Sequence, residues 1–408
     1  MTTIHHYSHR RGQSLSSRKI LVAGAGLGGL AAAGCLLKAG HDVEIYEQAP
    51  QLGEVGAGIQ LSANAMHVMN HLGVGEAIST MSVRPAAYVF RLHDTGEEID
   101  RFALSEEHLA LHKAPYNQIH RADLHETLAD AVQNMKDGLV HLNKKATGYT
   151  ETQDGVELRF EDGTSASGDL LIGADGVKSV IRDQVAGAVE AIYTGDSAWR
   201  ITVPKEKLPP NFMEEVMSVW MGPGKHSVSY WIRGGELLNF VGAVETPVAE
   251  EESWTAKFPW EDLKADFEGW HEDIQTVIDL VDRDECYRWA LYRRPTIAHW
   301  SSDRVTILGD AAHATLPYLA QGAAMAIEDG AVLMRALDQC DDIADALQLY
   351  QRNRVERTAR VVNTSTANRE LFHLDSVEKI RESFAARNEG ADRNAWLYSY
   401  NPLTVELS

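Results

Sequence analysis

A glycine-rich turn at residues 24–29 stands between an apolar strand pattern and a helix pattern. Lys19-Ile-Leu-Val-Ala23 is a short run of branched side chains, the signature of a buried strand. Gly24-Ala-Gly26-Leu-Gly28-Gly29 follows directly, and then the Ala- and Leu-rich stretch Leu30 to Ala39 predicts a helix. Gly40 can take the left-handed conformation that ends it. Asp42-Val-Glu-Ile-Tyr-Glu47 predicts a second strand finishing on an acid. That order of parts belongs to a doubly wound α/β domain that holds a dinucleotide. Gly24 allows the tight turn, Gly26 lets the backbone approach a pyrophosphate, and Gly29 lets helix and strand pack closely. The helix N-terminus adds free N–H groups and partial positive charge. Glu47 can accept hydrogen bonds from an adenosine ribose and disfavours a 2′-phosphate, so the nucleotide is FAD or NAD rather than NADP.

Two later motifs choose between these. Asp169-Leu-Leu-Ile-Gly-Ala-Asp175-Gly176-Val-Lys-Ser179-Val-Ile-Arg182 is a strand that stops at a Gly/Asp turn. Arg304-Val-Thr-Ile-Leu-Gly309-Asp310-Ala-Ala-His313 is another, followed by Pro317 and Leu319-Ala-Gln321-Gly322-Ala323. Each alone reads as an ordinary strand, turn and helix start. With the glycine turn and in this order, the chain resembles the single-component FAD-dependent aromatic hydroxylases. These are the salicylate hydroxylase-like branch of the p-hydroxybenzoate hydroxylase fold, with the 3-hydroxybenzoate and 6-hydroxynicotinate monooxygenases among them. Glu54-Val-Gly56-Ala-Gly58-Ile-Gln60-Leu, Asn64 and Ile119-His-Arg121-Ala-Asp-Leu124-His extend the match, which runs from about residue 18 to 400.

The resemblance implies a set of cofactor contacts. Gly24, Gly26, Gly29, Glu47 and Gln48 would hold the ADP half of FAD, with Gly58 beyond them. Arg121 would meet the phosphate or ribityl region, and Asp310 the ribityl chain. Asp175 and Gly176 would lie near the pyrophosphate and the transient nicotinamide site. Pro317, Gln321, Gly322 and Ala323 would border the flavin, with backbone N–H groups over 319–323 facing its N1–C2=O edge. A reduced flavin is anionic there, and a helix N-terminus stabilises negative charge. No second GxGxxG is present, so NADH or NADPH would be a transient co-substrate, and O2 the second.

The same resemblance implies a Rossmann-like FAD-binding domain in three pieces (18–80, 110–190 and 296–340). A mostly antiparallel substrate domain would be formed by 81–109 and 191–295. A C-terminal helical segment over 341–408 would be structural, and 1–17 a mobile tail. Strand patterns at Ser218-Val-Trp-Met, Ser227 to Ile232 and Leu237 to Val244 carry the inserted sheet, with a hairpin at Gly234-Gly235. Glu261 to Val281 reads as one amphipathic helical stretch, and Asp341 to Asn368 as a long helix. On the strand, His226 and Tyr230 are four apart and face the same way. By spacing alone they could be two half-buried polar residues satisfied by neighbours. In the resembling family they line the substrate pocket. His226 would then be the base that takes a phenol proton and Tyr230 the donor to the oxyanion. Gln60, Arg200, Trp220 and Tyr318 are further pocket candidates.

The expected activity is hydroxylation of a small aromatic acid such as salicylate, 3-hydroxybenzoate or 6-hydroxynicotinate, through a flavin C4a-hydroperoxide. Decarboxylation would follow where a carboxylate occupies the attacked carbon. The competing expectations are a larger phenolic or quinone-pathway substrate and a non-catalytic binding protein on the same fold. Composition narrows the partners. The 408 residues carry 38 Lys+Arg against 59 Asp+Glu, a net charge of −21 that repels nucleic acid and anionic membranes. Three scattered cysteines form no metal or disulfide framework and fit a cytoplasmic setting, and no metal is expected. A homodimer is compatible with the resemblance.

Overall fold

A computed structural model describes residues 17–53, 56–246, 255–386 and 394–408. The expected tail lies outside them apart from Ser17, which is exposed, as do Glu54 and Val55 of the quoted motif. A parallel sheet is ordered Val305–Ile307, Leu170–Gly173, Lys19–Ala23, Asp42–Tyr46 and Val140–His141. The inner strands are buried on both faces, which is why they read as unbroken apolar runs. Ala23, Gly173 and Ile307 end in register. Their three glycine turns therefore open on one edge, the carboxyl edge where ligands of open α/β sheets bind.

The second large sheet has seven strands. Its order is Tyr287–Arg293, Ile192–Pro204, Leu237–Glu245, Lys225–Ile232, Met217–Gly222, Ala87–Leu92 and Glu98–Ala103. All neighbours are antiparallel except Met217–Gly222 beside Ala87–Leu92. One face carries Trp199, Trp220, Trp231, Leu238 and Phe240 and packs under helices Trp260–Asp266 and Glu272–Leu280. These are two helices where one was expected, because Gly269 at φ +78° turns the chain between them. The other face carries Phe90, Val219, Met221, Ala243 and Trp289 and meets the nucleotide-binding half and the C-terminal helices. A short pair, Gly58–Leu61 with Asn117–His120, bridges the two halves, and a three-stranded sheet covers 146–168.

Helix Ile343–Phe372 runs 30 residues, capped by Asp342 accepting from Asp345 N at 3.2 Å. Arg357 and Arg360 of this helix lie 3.7 and 3.9 Å over the rings of Tyr400 and Trp396, fixing the end of the chain. Among the described residues no helix is long and apolar enough to cross a membrane.

Candidate active site

The first glycine turn is built by close approach. Gly24 has φ +110°, and a Cβ there would lie 2.3 Å from Ala174 O. A Cβ on Gly29 would lie 2.1 Å from Gly24 O, so the helix can pack on the strand only with glycine there. Gly26 has nothing within 4 Å of where its Cβ would be. Helix Leu27–Lys38 begins here with no side-chain cap and no acid in its first turn. An open, uncapped N-terminus is an anion cradle. Glu47 is aimed at it: Oε2 accepts from Ala25 N and Oε1 from Ala49 N, both at 2.8 Å. Each oxygen keeps a lone pair for a ribose hydroxyl. Gln48 follows, exposed.

The second motif serves this turn through its backbone. The Asp175 carboxylate accepts from Ser179 Oγ, from Val180 N at 2.9 Å and from Ile181 N at 3.2 Å. Asp175 thus helps to hold the first turn of the next helix, whose N-cap is Ser179. What reaches the nucleotide turn is Asp175 N, 3.2 Å from a Cβ placed on Gly24, with Gly176 turning the chain at φ +73°.

At the third motif Asp310 is exposed and opens into a cleft with Arg182, Arg294 and His313. Arg121 begins helix Arg121–Gln133. Burial holds its guanidinium below the usual value, and Asp310 beside it offsets only part of that. Downstream, Pro317 is exposed and Ala320 takes φ +52° before helix Gly322–Gln339. That helix also has no side-chain cap and no acid in its first turn, so Gly322 and Ala323 present N–H groups. The Gln321 side chain turns inward, accepting from Asn64 Nδ2 at 3.0 Å and donating to Ser62 Oγ at 2.9 Å. It is therefore a brace for the loop. Two uncapped helix N-termini, an open glycine and a steered carboxylate fit FAD.

The inner face of the seven-stranded sheet lies against these turns. His226 pairs with Met221 and Ala243, and Tyr230 with Asn239. Tyr230 lies on Gly58, where a Cβ would come within 2.5 Å of its ring, and Asn239 Oδ1 accepts from Gly58 N at 2.7 Å. Gln60 Oε1 accepts from Tyr116 Oη at 2.5 Å, and Gln60 also hydrogen-bonds Tyr230. With its oxygen used, Gln60 offers Tyr230 an N–H, which leaves the Tyr230 hydroxyl proton for a ligand. Burial raises the Tyr230 phenol well above its ordinary value, keeping it a donor.

His226 is 3% exposed, and its Nδ1 lies 2.9 Å from His373 Nε2. Burial, then His373, pushes its pKa well below 6.5. Tyr318 packs on His226 with ring centroids 5.0 Å apart and donates to Asp196 Oδ2 at 2.8 Å. Arg200, on the same face, lies 4.8 Å over the Tyr287 ring; burial lowers its pKa, and Arg121 contributes. Trp220 is a second correction. It pairs with Ser227, one residue out of phase with His226, and lies on the helix-covered face against His271. It cannot line a cavity shared with His226 and Tyr230.

The sequence reading missed Tyr116, Asn239, Asp196, Arg369 and His373. Asn239 could have been found by counting back from the Gly234-Gly235 hairpin to the partner of Tyr230. His373 carries no local signal, being 147 residues from His226.

Residues 17–365 match the family described as FAD binding domain. The 3-hydroxybenzoate 6-hydroxylase of Polaromonas naphthalenivorans is 37% identical over 390 residues, 94% of this chain and 96% of that protein. The 6-hydroxynicotinate 3-monooxygenase of Bordetella bronchiseptica is 35% identical over 354 residues, covering 86% and 91%. Klebsiella pneumoniae HpxO, solved with FAD and uric acid, shares the fold at a TM-score of 0.82 and 28% identity, covering 94% and 96%. The chain belongs to the FAD binding domain family and is an FAD-dependent aromatic monooxygenase.

Proposed function

We propose that the chain hydroxylates a small hydroxylated aromatic acid of the 3-hydroxybenzoate or 6-hydroxynicotinate kind. The observation that carries this is the pairing of His226 with Tyr230 on one sheet face, above Gly58 and the turn at 317–322. Bound FAD would take reducing equivalents from NADH or NADPH and use O2 to put one oxygen atom on the ring. The relatives named for 3-hydroxybenzoate and 6-hydroxynicotinate support the substrate class.

Each protein group then has a task. An electrophilic oxygen needs an electron-rich ring, and a phenolate is richer than a phenol. Ionising a phenol of pKa about 10 at neutral pH means stabilising the anion by about 4 kcal/mol. Nε2 of His226 takes the proton, and Tyr230 donates to the oxyanion. Arg200 offers a guanidinium to the substrate carboxylate, and Arg121 and Asp310 orient the cofactor. The apolar inner face, with Phe90, Val219, Met221 and Trp289, keeps water from the reacting atoms.

The test is NAD(P)H oxidation and product formation by FAD-loaded protein with salicylate, 3-hydroxybenzoate, 6-hydroxynicotinate and bulkier phenols. Tight coupling with one small acid is the expected result. Coupled turnover of bulky phenols alone would replace this reading with the larger-substrate one. His226→Ala should keep FAD and lose product formation by about 10²- to 10⁴-fold.

A further inference from the structure

His226 is the inner end of a chain of polar side chains that reaches the surface. His373 stands at the C-terminal end of helix Ile343–Phe372, with Nε2 2.9 Å from Nδ1 of His226. Its other nitrogen, Nδ1, lies 3.5 Å from Glu245 Oε1 and 3.9 Å from Asp196 Oδ1. Those two carboxylates face each other across paired strands. Asp196 is fully buried, while the Glu245 side chain is 51% exposed. Arg369, one turn before His373, bonds Asp196 at 2.5 and 2.7 Å and reaches Glu245 at 3.5 Å. Ligand atoms of Asp196, Glu245 and His373 lie within 4.8 Å of one another, the spacing of a cation site, but the guanidinium of Arg369 already supplies a positive charge there.

The tautomers along this chain are linked. Nδ1 of His226 is engaged, so a substrate proton can enter only at Nε2. Nε2 must then start unprotonated, with Nδ1–H donating to His373 Nε2. That in turn puts the His373 proton on Nδ1, facing the carboxylates. A lone buried imidazolium at His226 would be costly, because burial disfavours the charged form.

We propose that His373 is a positioning residue for His226, fixing its acceptor tautomer and carrying the substrate proton outward to the Asp196–Glu245 pair. As the phenol O–H bond breaks, a proton binds Nε2 of His226 and the Nδ1 proton passes to Nε2 of His373. As Nε2 of His373 gains that proton, its Nδ1 proton leaves through Glu245 to solvent, so no imidazolium persists beside Arg369. One proton enters, one leaves, and no electron moves. The relay reverses when the product oxygen regains its proton. The charged groups facing His373 are His226, Asp196, Glu245 and Arg369, with Tyr318 bonded to Asp196.

The inference rests on His226 being the base, and the experiment separates the two. A nitro-substituted hydroxybenzoate is bound to FAD-loaded full-length protein, and its phenolate absorbance is titrated with pH. His373→Phe should raise the pH of ionisation by one unit or more, a tenfold loss of phenolate at neutral pH, with FAD content unchanged. Glu245→Gln should shift it the same way by less. If His226→Ala raises the ionisation pH and His373→Phe does not, His373 only packs there and the inference is overturned. If neither moves it, the base assignment falls and the relay with it. Should the Phe variant fail to hold FAD, His373→Gln, which can accept from His226 but cannot relay, must show the same upward shift or the relay is rejected.

Discussion

Tyr230 shows how much one residue's surroundings decide. Its ring rests on Gly58 and its oxygen takes an N–H from Gln60, which leaves its own proton for a ligand. Tyr230→Phe removes only that proton and oxygen. A hydrogen bond to a charged group contributes about 1.5–3 kcal/mol, so product formation should fall by roughly 10- to 100-fold with FAD retained. Unchanged turnover would remove Tyr230 from the site. Gly58→Ala tests the same contact from the other side. Its Cβ would sit 2.5 Å from the ring and 2.6 Å from the hydroxyl, so Tyr230 must swing away. Turnover per bound flavin, with FAD content measured by absorbance, should drop at least as far as in Tyr230→Phe. The facing of His226 and Tyr230 was legible from their spacing of four on a strand. The side on which Trp220 falls was not, because it depends on the register between strands, which the turn at residues 223–224 sets.

At the scale of elements, helix Gly322–Gln339 is fastened to helix Ile343–Phe372 by buried charges. Arg354 bonds Asp329 Oδ1 and Glu328 Oε2, both at 2.7 Å, and all three are fully buried. Asp329 Oδ2 also accepts from Gly309 N at 2.9 Å and from His313 Nε2 at 2.6 Å. The same carboxylate thus holds the turn that presents Asp310. Asp329→Ala leaves a buried guanidinium short of a partner, which costs about 3–5 kcal/mol. The thermal midpoint should fall and FAD should bind more weakly. Burial raises the Asp329 pKa, but His313 and Arg354 outweigh it and the net shift is downward. A depressed carboxyl stabilises the fold above its unfolded value of about 3.9 and loses that stabilisation as pH falls. The midpoint of the parent should therefore decline on acidification through that range, and less so in Asp329→Asn. An equal acid response in both would mean that other carboxylates carry it. Glycine turns and apolar runs made the parallel sheet readable, since each is local. The Arg354 network and the His226–His373 bond were not, because they join helices and strands brought together only by the finished fold.

For the whole molecule, the net charge of −21 confronts the proposed substrate, an aromatic acid that is itself an anion. The groups that oppose this field are local: the helix N-termini at residues 26–29 and 320–323, and the guanidiniums of Arg121 and Arg200. Arg121 and Arg200 are largely buried, so their attraction acts at the end of the approach, after the substrate has crossed the outer field. Salt should then help association. Between about 0.01 M and 0.15 M ionic strength the Debye length shrinks from about 30 to about 8 Å, which screens the surface repulsion more than a buried pair. The association rate of an anionic hydroxybenzoate, followed by stopped-flow perturbation of the flavin spectrum, should rise on the order of a few-fold over that range. An uncharged phenol of the same size should show no such rise. A rate that falls with salt would mean that the arginines already govern the field at the entrance. The acidic surface would then lie turned away from the approach path instead of across it.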